Sequence, residues 1–298
     1  MAPSFGRSIS FPLSPSRSKL SRMASTAGGY HARSVSLPCR SHPILAHLHT
    51  HIRAVRAWAA QQDPTASASS GLAHVDALHA ALGDLLDLPE AQAALSARAS
   101  HDRLLDAFLA LADAHGTFQE SLLDLKRDVA EALAAIRRRD GARLASALRS
   151  QRRAAKELSR LASVAAKDGA ACRPSRLGLG GGLGGSSSSS SAAEVEVAGL
   201  LAEAAAATAS ASAALFNTVA AMSASASAAA CSCKRTAALM CLINKKVPSE
   251  EEKEAMALME RLEELEECID DLEAGTDKVF RSLVQTRVAL LNVHTNIF

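Results

Sequence analysis

The chain has 298 residues, a formal net charge of +2 and a 48% hydrophobic fraction, but only 3% of its residues are aromatic. Alanine favours helix and buries little area, so a core of Leu and Ala suits long, closely packed helices. It excludes a β-sandwich, which wants β-branched and aromatic residues.

The small net charge hides segregation. Residues 1–60 carry seven arginines, one lysine and no acid. Residues 126–176 carry fourteen Lys/Arg against five acids, and residues 249–273 carry twelve acids against two bases. A basic arm, a basic helix and an acidic helix in one chain point to internal pairing, partner docking, or both. Cys39, Cys172, Cys231, Cys233, Cys241 and Cys268 fit no disulfide framework or zinc spacing. Residues 1–30 lack the apolar core of a secretory signal, so a reducing compartment is the default.

Residues 1–41 form a basic arm rich in Ser, Arg and Pro. Such a segment buries too little surface to order itself and reads as disordered; the same composition also describes a cleaved organellar transit peptide. Arg7-Ser8-Ile9-Ser10-Phe11-Pro12 and Arg33-Ser34-Val35-Ser36-Leu37-Pro38 both read R-S-x-S-x-P. An arginine three residues before a serine is what a basophilic kinase reads. Phosphate on Ser10 or Ser36 adds about −1.5 to −2 charges beside Arg7 or Arg33. Pro12 and Pro38 then turn the backbone away. This is similar to the phosphopeptide motif captured by 14-3-3 proteins through an Arg cluster. Two copies 26 residues apart can engage both grooves of a dimeric reader. Chance in a Ser- and Arg-rich segment is the competing explanation.

Residues 42–298 read as one helical domain interrupted by flexible linkers at 61–71 and 173–193. Its first helix, His42–Trp58, carries an apolar stripe of Ile44, Leu48, Ile52 and Val55. His47 and His51 have metal-ligand spacing, but no carboxylate or cysteine joins them nearby, which favours a solvated or partner-facing cluster. A second helix places Leu72, Val75, Leu78, Leu82, Leu85 and Leu86 on one face and stops at Leu88-Pro89. Pro89 opens a short third helix.

Ser100-His101-Asp102 is the expected cap of a long helix whose period runs from Leu104 through Phe108, Phe118, Leu125 and Val129 to Ile136. Arg139-Asp140-Gly141 breaks it, with Gly141 expected in the left-handed turn. The next helix, about residues 142–167, buries Leu144, Leu148, Leu158, Leu161 and Val164 and turns Arg149, Arg152, Arg153, Lys156 and Arg160 outward. Aromatics for base stacking are absent there, so no nucleic-acid partner is expected. The glycine run from Gly178 follows no strand and lacks the Gly-Lys-Ser/Thr ending of a phosphate loop. Residues 194–230 are nearly charge-free and long enough to span a bilayer, but their Ala and Ser content favours a buried helix of a bundle.

Ser249 with Glu250 to Glu252 marks the last helix start. From there Leu258, Leu262, Leu265, Ile269, Leu272, Thr276, Val279, Leu283, Thr286, Leu290, Val293 and Ile297 recur at steps of four and three. That stripe needs partner helices to cover it. The resulting fold class is all-α: an elongated antiparallel bundle of long helices, closed by the C-terminal helix and preceded by a disordered arm. The acidic first half of that helix is the expected neighbour of the basic helix at 142–167.

Four stretches carry a family resemblance. Tyr30 to Pro43 resembles a "YHVRSxSLPxRxHP" signature and Leu85 to Leu95 an "LLxLPxTQQAL" segment. Leu148 to Lys156 is similar to an "LASRKKxKK" segment and Arg281 to Asn292 to an "RxLIKTRVSLLN" ending. Together they resemble the plant-specific Bypass-related family of unknown molecular function. The basic segment carries alanines where relatives have lysines, which weakens its patch.

The resemblance implies a role in root and shoot development through a mobile root-derived signal, and no established catalytic residue. No nucleophile with a base, no paired carboxylates and no cofactor loop are legible, so neither an enzyme nor a cofactor is expected. The expectation is a non-enzymatic regulator or interaction scaffold, phosphorylated in its arm, with 14-3-3 among its partners. The expected compartment is cytoplasmic. The alternative is a membrane-associated or plastid factor acting on the signal or its metabolism. Oligomeric state is open.

Overall fold

The computed structural model describes residues 43–61, 68–95, 98–172, 192–232 and 250–295. Seven helices form there: α1 (Pro43–Ala60), α2 (Ala68–Leu86), α3 (Pro89–Ala94), α4 (Arg98–Arg138), α5 (Gly141–Ala171), α6 (Ala192–Ser232) and α7 (Glu250–Thr295). The described residues contain no strand, and the fold is all-α.

Corner chemistry sets where the chain turns. Between α2 and α3, Leu88 is extended at ψ 126°, as a residue before proline must be, and Pro89 takes a first-turn position that needs no N–H. Gln92 Nε2 donates to Leu86 O at 2.8 Å and supplies a partner for the end of α2. Between α4 and α5, the Asp140 N–H bonds Ala135 O at 2.9 Å and the Arg139 N–H bonds Ile136 O at 3.1 Å. This is a Schellman ending. Its left-handed residue is Arg139, with φ 57°, not Gly141 as the sequence suggested. Gly141 is the first residue of α5, and Asp140 caps that helix by accepting from the Arg143 N–H at 3.0 Å.

Other element bounds also differ from the sequence reading. Ala68 to Gly71, read as linker, are the first turn of α2, and Ala192 and Ala193 already belong to α6. Gly71 has a packing reason to be glycine: a Cβ there would sit 2.3 Å from the Trp58 ring. α4 begins at Arg98, so Ser100 lies inside it rather than capping it, and the helix continues through Gly116.

The direction of packing follows from specific pairs. Gln151 and Arg152 of α5 meet Ser223 and Ser227 of α6, while Gly169 meets Ala209, so these helices run antiparallel. Lys126 of α4 meets Asp270 and Glu273 of α7, while Gly116 faces Phe280, so these are antiparallel too. α5 packs on α4 and α6; α7 packs on α4, α2 and α6. The acidic half of α7 therefore answers Lys126 of α4 and not the basic face of α5.

The α7 stripe is covered from within the chain. Leu258, Leu262, Leu265, Ile269, Leu272, Thr276, Val279, Leu283, Thr286, Leu290 and Val293 are all buried. Ile297 lies outside the described residues. On α5, Val164 is 51% exposed, against expectation, because Ala162 and Ala165 take the inward positions.

α6 packs on each of the other six helices. Its second half still keeps a solvent-facing stripe, with Ser210, Asn217, Ala221, Ala224, Ser225 and Ala228 exposed, and that stripe carries only small or uncharged side chains. Small side chains let α5 approach closely: a Cβ on Gly169 would lie 2.6 Å from that of Ala209.

Candidate functional site

The residues proposed to carry phosphate recognition, Arg7, Ser10, Pro12, Arg33, Ser36 and Pro38, lie outside the described residues. His47 and His51 sit on exposed turns of α1, with their Nε2 atoms 3.1 Å apart and the rings edge to face. Partial burial, then His47 and His74, lower the His51 pKa. Among the described residues no group of three His, Cys, Asp or Glu side chains could hold a metal ion.

The densest side-chain chemistry is internal and was not singled out in the sequence. His79 of α2 lies 2.9 Å through Nδ1 from Thr286 Oγ1 of α7 and 3.2 Å through Nε2 from Thr208 Oγ1 of α6. His115 of α4 lies 2.8 Å through Nε2 from Ser212 Oγ of α6. All five residues are buried.

Proton accounting assigns the roles. Thr286 spends its hydroxyl proton on Ser282 O, so the His79 Nδ1–H donates to Thr286, and Nε2 accepts from Thr208. Ser212 donates to Thr208 O, so the His115 Nε2–H donates to Ser212. Nδ1 of His115 is left without a partner, as is Nε1 of Trp58 beside it. The seam holding both, lined also by Gly71, Val75 and Leu215, is too narrow for a water molecule. Burial pushes the His79 pKa down to about 4. Burial, then the proximity of His79, pushes His115 down to about 3.

A histidine nitrogen against a threonine hydroxyl is the pairing that activates a nucleophile. Here Thr208 is fully buried, so no substrate reaches it in this conformation. The network ties α2, α4, α6 and α7 together and fixes their register. The sequence did contain the signal: His79 continues the step Val75, His79, Leu82, Leu86, and His115 continues Phe108, Leu111, His115, Phe118. A histidine on an apolar stripe is an interior histidine with a partner to be found.

The accessible candidate is the groove between α4 and α7. A cavity of about 260 Å³ opens there over Leu122, Leu123, Lys126, Ile269, Glu273 and Thr276. Lys126 Nζ lies 2.7 Å from Glu273 and 3.0 Å from Asp270. Those two hydrogen bonds, the Glu273 one the larger effect, push the Lys126 pKa up to about 12. Thr276 Oγ1 is buried and has no partner. The same pair of helices exposes Leu109 (37%), Leu123 (57%), Val284 (39%) and Val288 (47%).

A family model described as Protein BPS1 matches residues 71–293, from the first turn of α2 almost to the end of α7. The chain belongs to the BPS1 family. No curated protein and no solved structure gives a significant match. The BPS1 match includes three of the four stretches that suggested the Bypass-related family; the Tyr30–Pro43 stretch precedes it.

Those three BPS1 stretches do structural work in this fold. Leu85, Leu86, Ala91, Ala94 and Leu95 fill the α2–α3 corner. Gln151 O accepts from Ser223, and Arg152 donates to Ser227 O, joining α5 to α6. Leu283, Thr286 and Leu290 lie on the buried seam of α7. BPS1 membership fits a developmental regulator whose molecular function is unknown. α6 also contains the one stretch among the described residues long and apolar enough to cross a membrane, Val195–Ala228, but 72% of its apolar window is buried against the other helices.

Proposed function

We propose that this chain is a non-enzymatic plant developmental regulator, acting in root and shoot development as a protein-interaction scaffold. Its N-terminal arm is phosphorylated on Ser10 and Ser36 and read by 14-3-3 proteins, in a cytoplasmic setting. BPS1 membership supports the developmental part. The observation that carries the scaffold part is the α4–α7 groove lined by Leu122, Leu123 and Ile269, on the two helices that also leave Leu109, Val284 and Val288 exposed. An apolar-lined groove on the surface suits an interaction site, and an amphipathic helix of a partner suits a groove between two helices. The twin R-S-x-S-x-P motifs support the phosphorylated arm.

The test is recovery of 14-3-3 from plant extract by the full chain. The wild type, phosphorylated by a basophilic kinase, retains 14-3-3. Ser10→Ala or Ser36→Ala alone weakens retention sharply, because bivalent capture gains about 10²-fold or more over a single site. The double variant loses it. Equal recovery by wild type and double variant would remove the phosphopeptide part of the proposal.

A further inference from the structure

Two charged stripes remain on the outside of the bundle, and they match. On α5, Arg149, Arg153, Lys156 and Arg160 are exposed and follow steps of four, three and four. On α7, Glu260, Glu264, Glu267 and Asp271 are exposed and follow the same steps. Each set occupies one helix face about 16 Å long. The α5 stripe points away from Leu148, Ala155, Leu158 and Ala162, the residues α5 buries. The α7 stripe points away from Leu262, Leu265, Ile269 and Leu272. Within one chain the two stripes do not answer each other, since α5 packs on α4 and α6 while the acidic half of α7 packs over Lys126 of α4.

We infer that the two stripes are the two halves of a head-to-tail contact, in which the α5 face of one copy docks on the α7 face of a second copy. The occupant is set by charge and register: four cations and four anions at identical helical spacing, carried by the same polypeptide. A net charge of only +2 leaves little general repulsion between copies. The competing pairs within each chain are weak. Arg160 reaches Glu157 and Arg261 reaches Glu264, both as exposed i,i+3 pairs that exchange readily. Arg149, Arg153, Lys156, Glu260, Glu267 and Asp271 have no ion-pair partner among the described residues. The contact uses different halves of the surface on the two copies, so it adds copies in series rather than closing a symmetric pair.

Sedimentation velocity on the full chain tests this. In about 20 mM salt the weight-average sedimentation coefficient rises with protein concentration, and in about 0.5 M salt it falls to the monomer value, because screening shortens the reach of exposed charges. Arg153→Glu/Lys156→Glu and Glu264→Lys/Glu267→Lys each stay monomeric at low salt with unchanged helical circular dichroism. Mixing the two variants restores association, because each reversed stripe then meets its complement. A wild type that is monomeric at every concentration overturns the inference. So does association that survives either reversal, or a mixture that remains monomeric.

Discussion

His79 and His115 show what one residue type does at a buried crossing. Both stay neutral because the interior penalises the charged ring, with pKa values lowered to about 4 and about 3. An unfolded histidine takes its proton near pH 6.5. Between pH 6.5 and those lowered values the unfolded chain binds more protons than the folded one, so stability falls as pH falls. The contribution is fully present above about pH 7 and each histidine removes about 2 kcal/mol by pH 5. Urea unfolding of wild type and His79→Leu at pH 7.5, 6.5 and 5.5 reads this directly. The variant starts lower by about 1–3 kcal/mol from lost hydrogen bonding, but declines less steeply with acid. Parallel declines would mean that His79 does not titrate on unfolding as its burial requires. The sequence placed these histidines on apolar stripes but not opposite hydroxyls. Thr286 is a hydroxyl on the largely apolar α7 stripe, and the three-dimensional crossing gives its reason: it accepts from His79.

At the scale of the element, the α4–α5 turn separates legible from illegible. The break at residues 139–141 was clear from Arg139-Asp140-Gly141, because glycine beside a capping aspartate punctuates a helix. Which residue turns left-handed was not, since the hydrogen-bond register of the Schellman ending puts the turn at Arg139 and leaves Gly141 in α5. An L residue there carries a steric cost of roughly 1–2 kcal/mol, partly offset in glycine by its greater unfolded entropy. Arg139→Gly therefore stabilises the protein by about 0.5–1 kcal/mol, read as a higher midpoint in thermal unfolding. A lower midpoint would show that the Arg139 side chain contributes more than its backbone strain costs. α6 presents the opposite limit. Its length was legible from thirty charge-poor residues, but no face could be chosen, because Ala and Ser populate every side of it. Its solvent-facing stripe from Ser210 to Ala228 is mostly the same Ala and Ser as its buried sides, so the composition offers no contrast from which to read its orientation.

The whole molecule is organised around α6 rather than around α7, whose heptads dominate the sequence. Six helices pack on α6, and α7 closes the bundle over α4 and α2. The α7 period was legible because one side of that helix is solvated and charged, so its two faces contrast. This arrangement makes the α7 stripe an internal seam, and a core substitution distinguishes it from a seam between copies. Leu272 is fully buried, and Leu272→Ala costs about 2–5 kcal/mol through lost burial and the cavity it leaves. That loss appears as a lower urea midpoint independent of protein concentration, while the low-salt association carried by the outward faces of α5 and α7 stays as it was. A seam shared between copies behaves otherwise: Leu272→Ala would then dissociate the assembly and leave a folded monomer, with a midpoint that shifts as the protein is diluted.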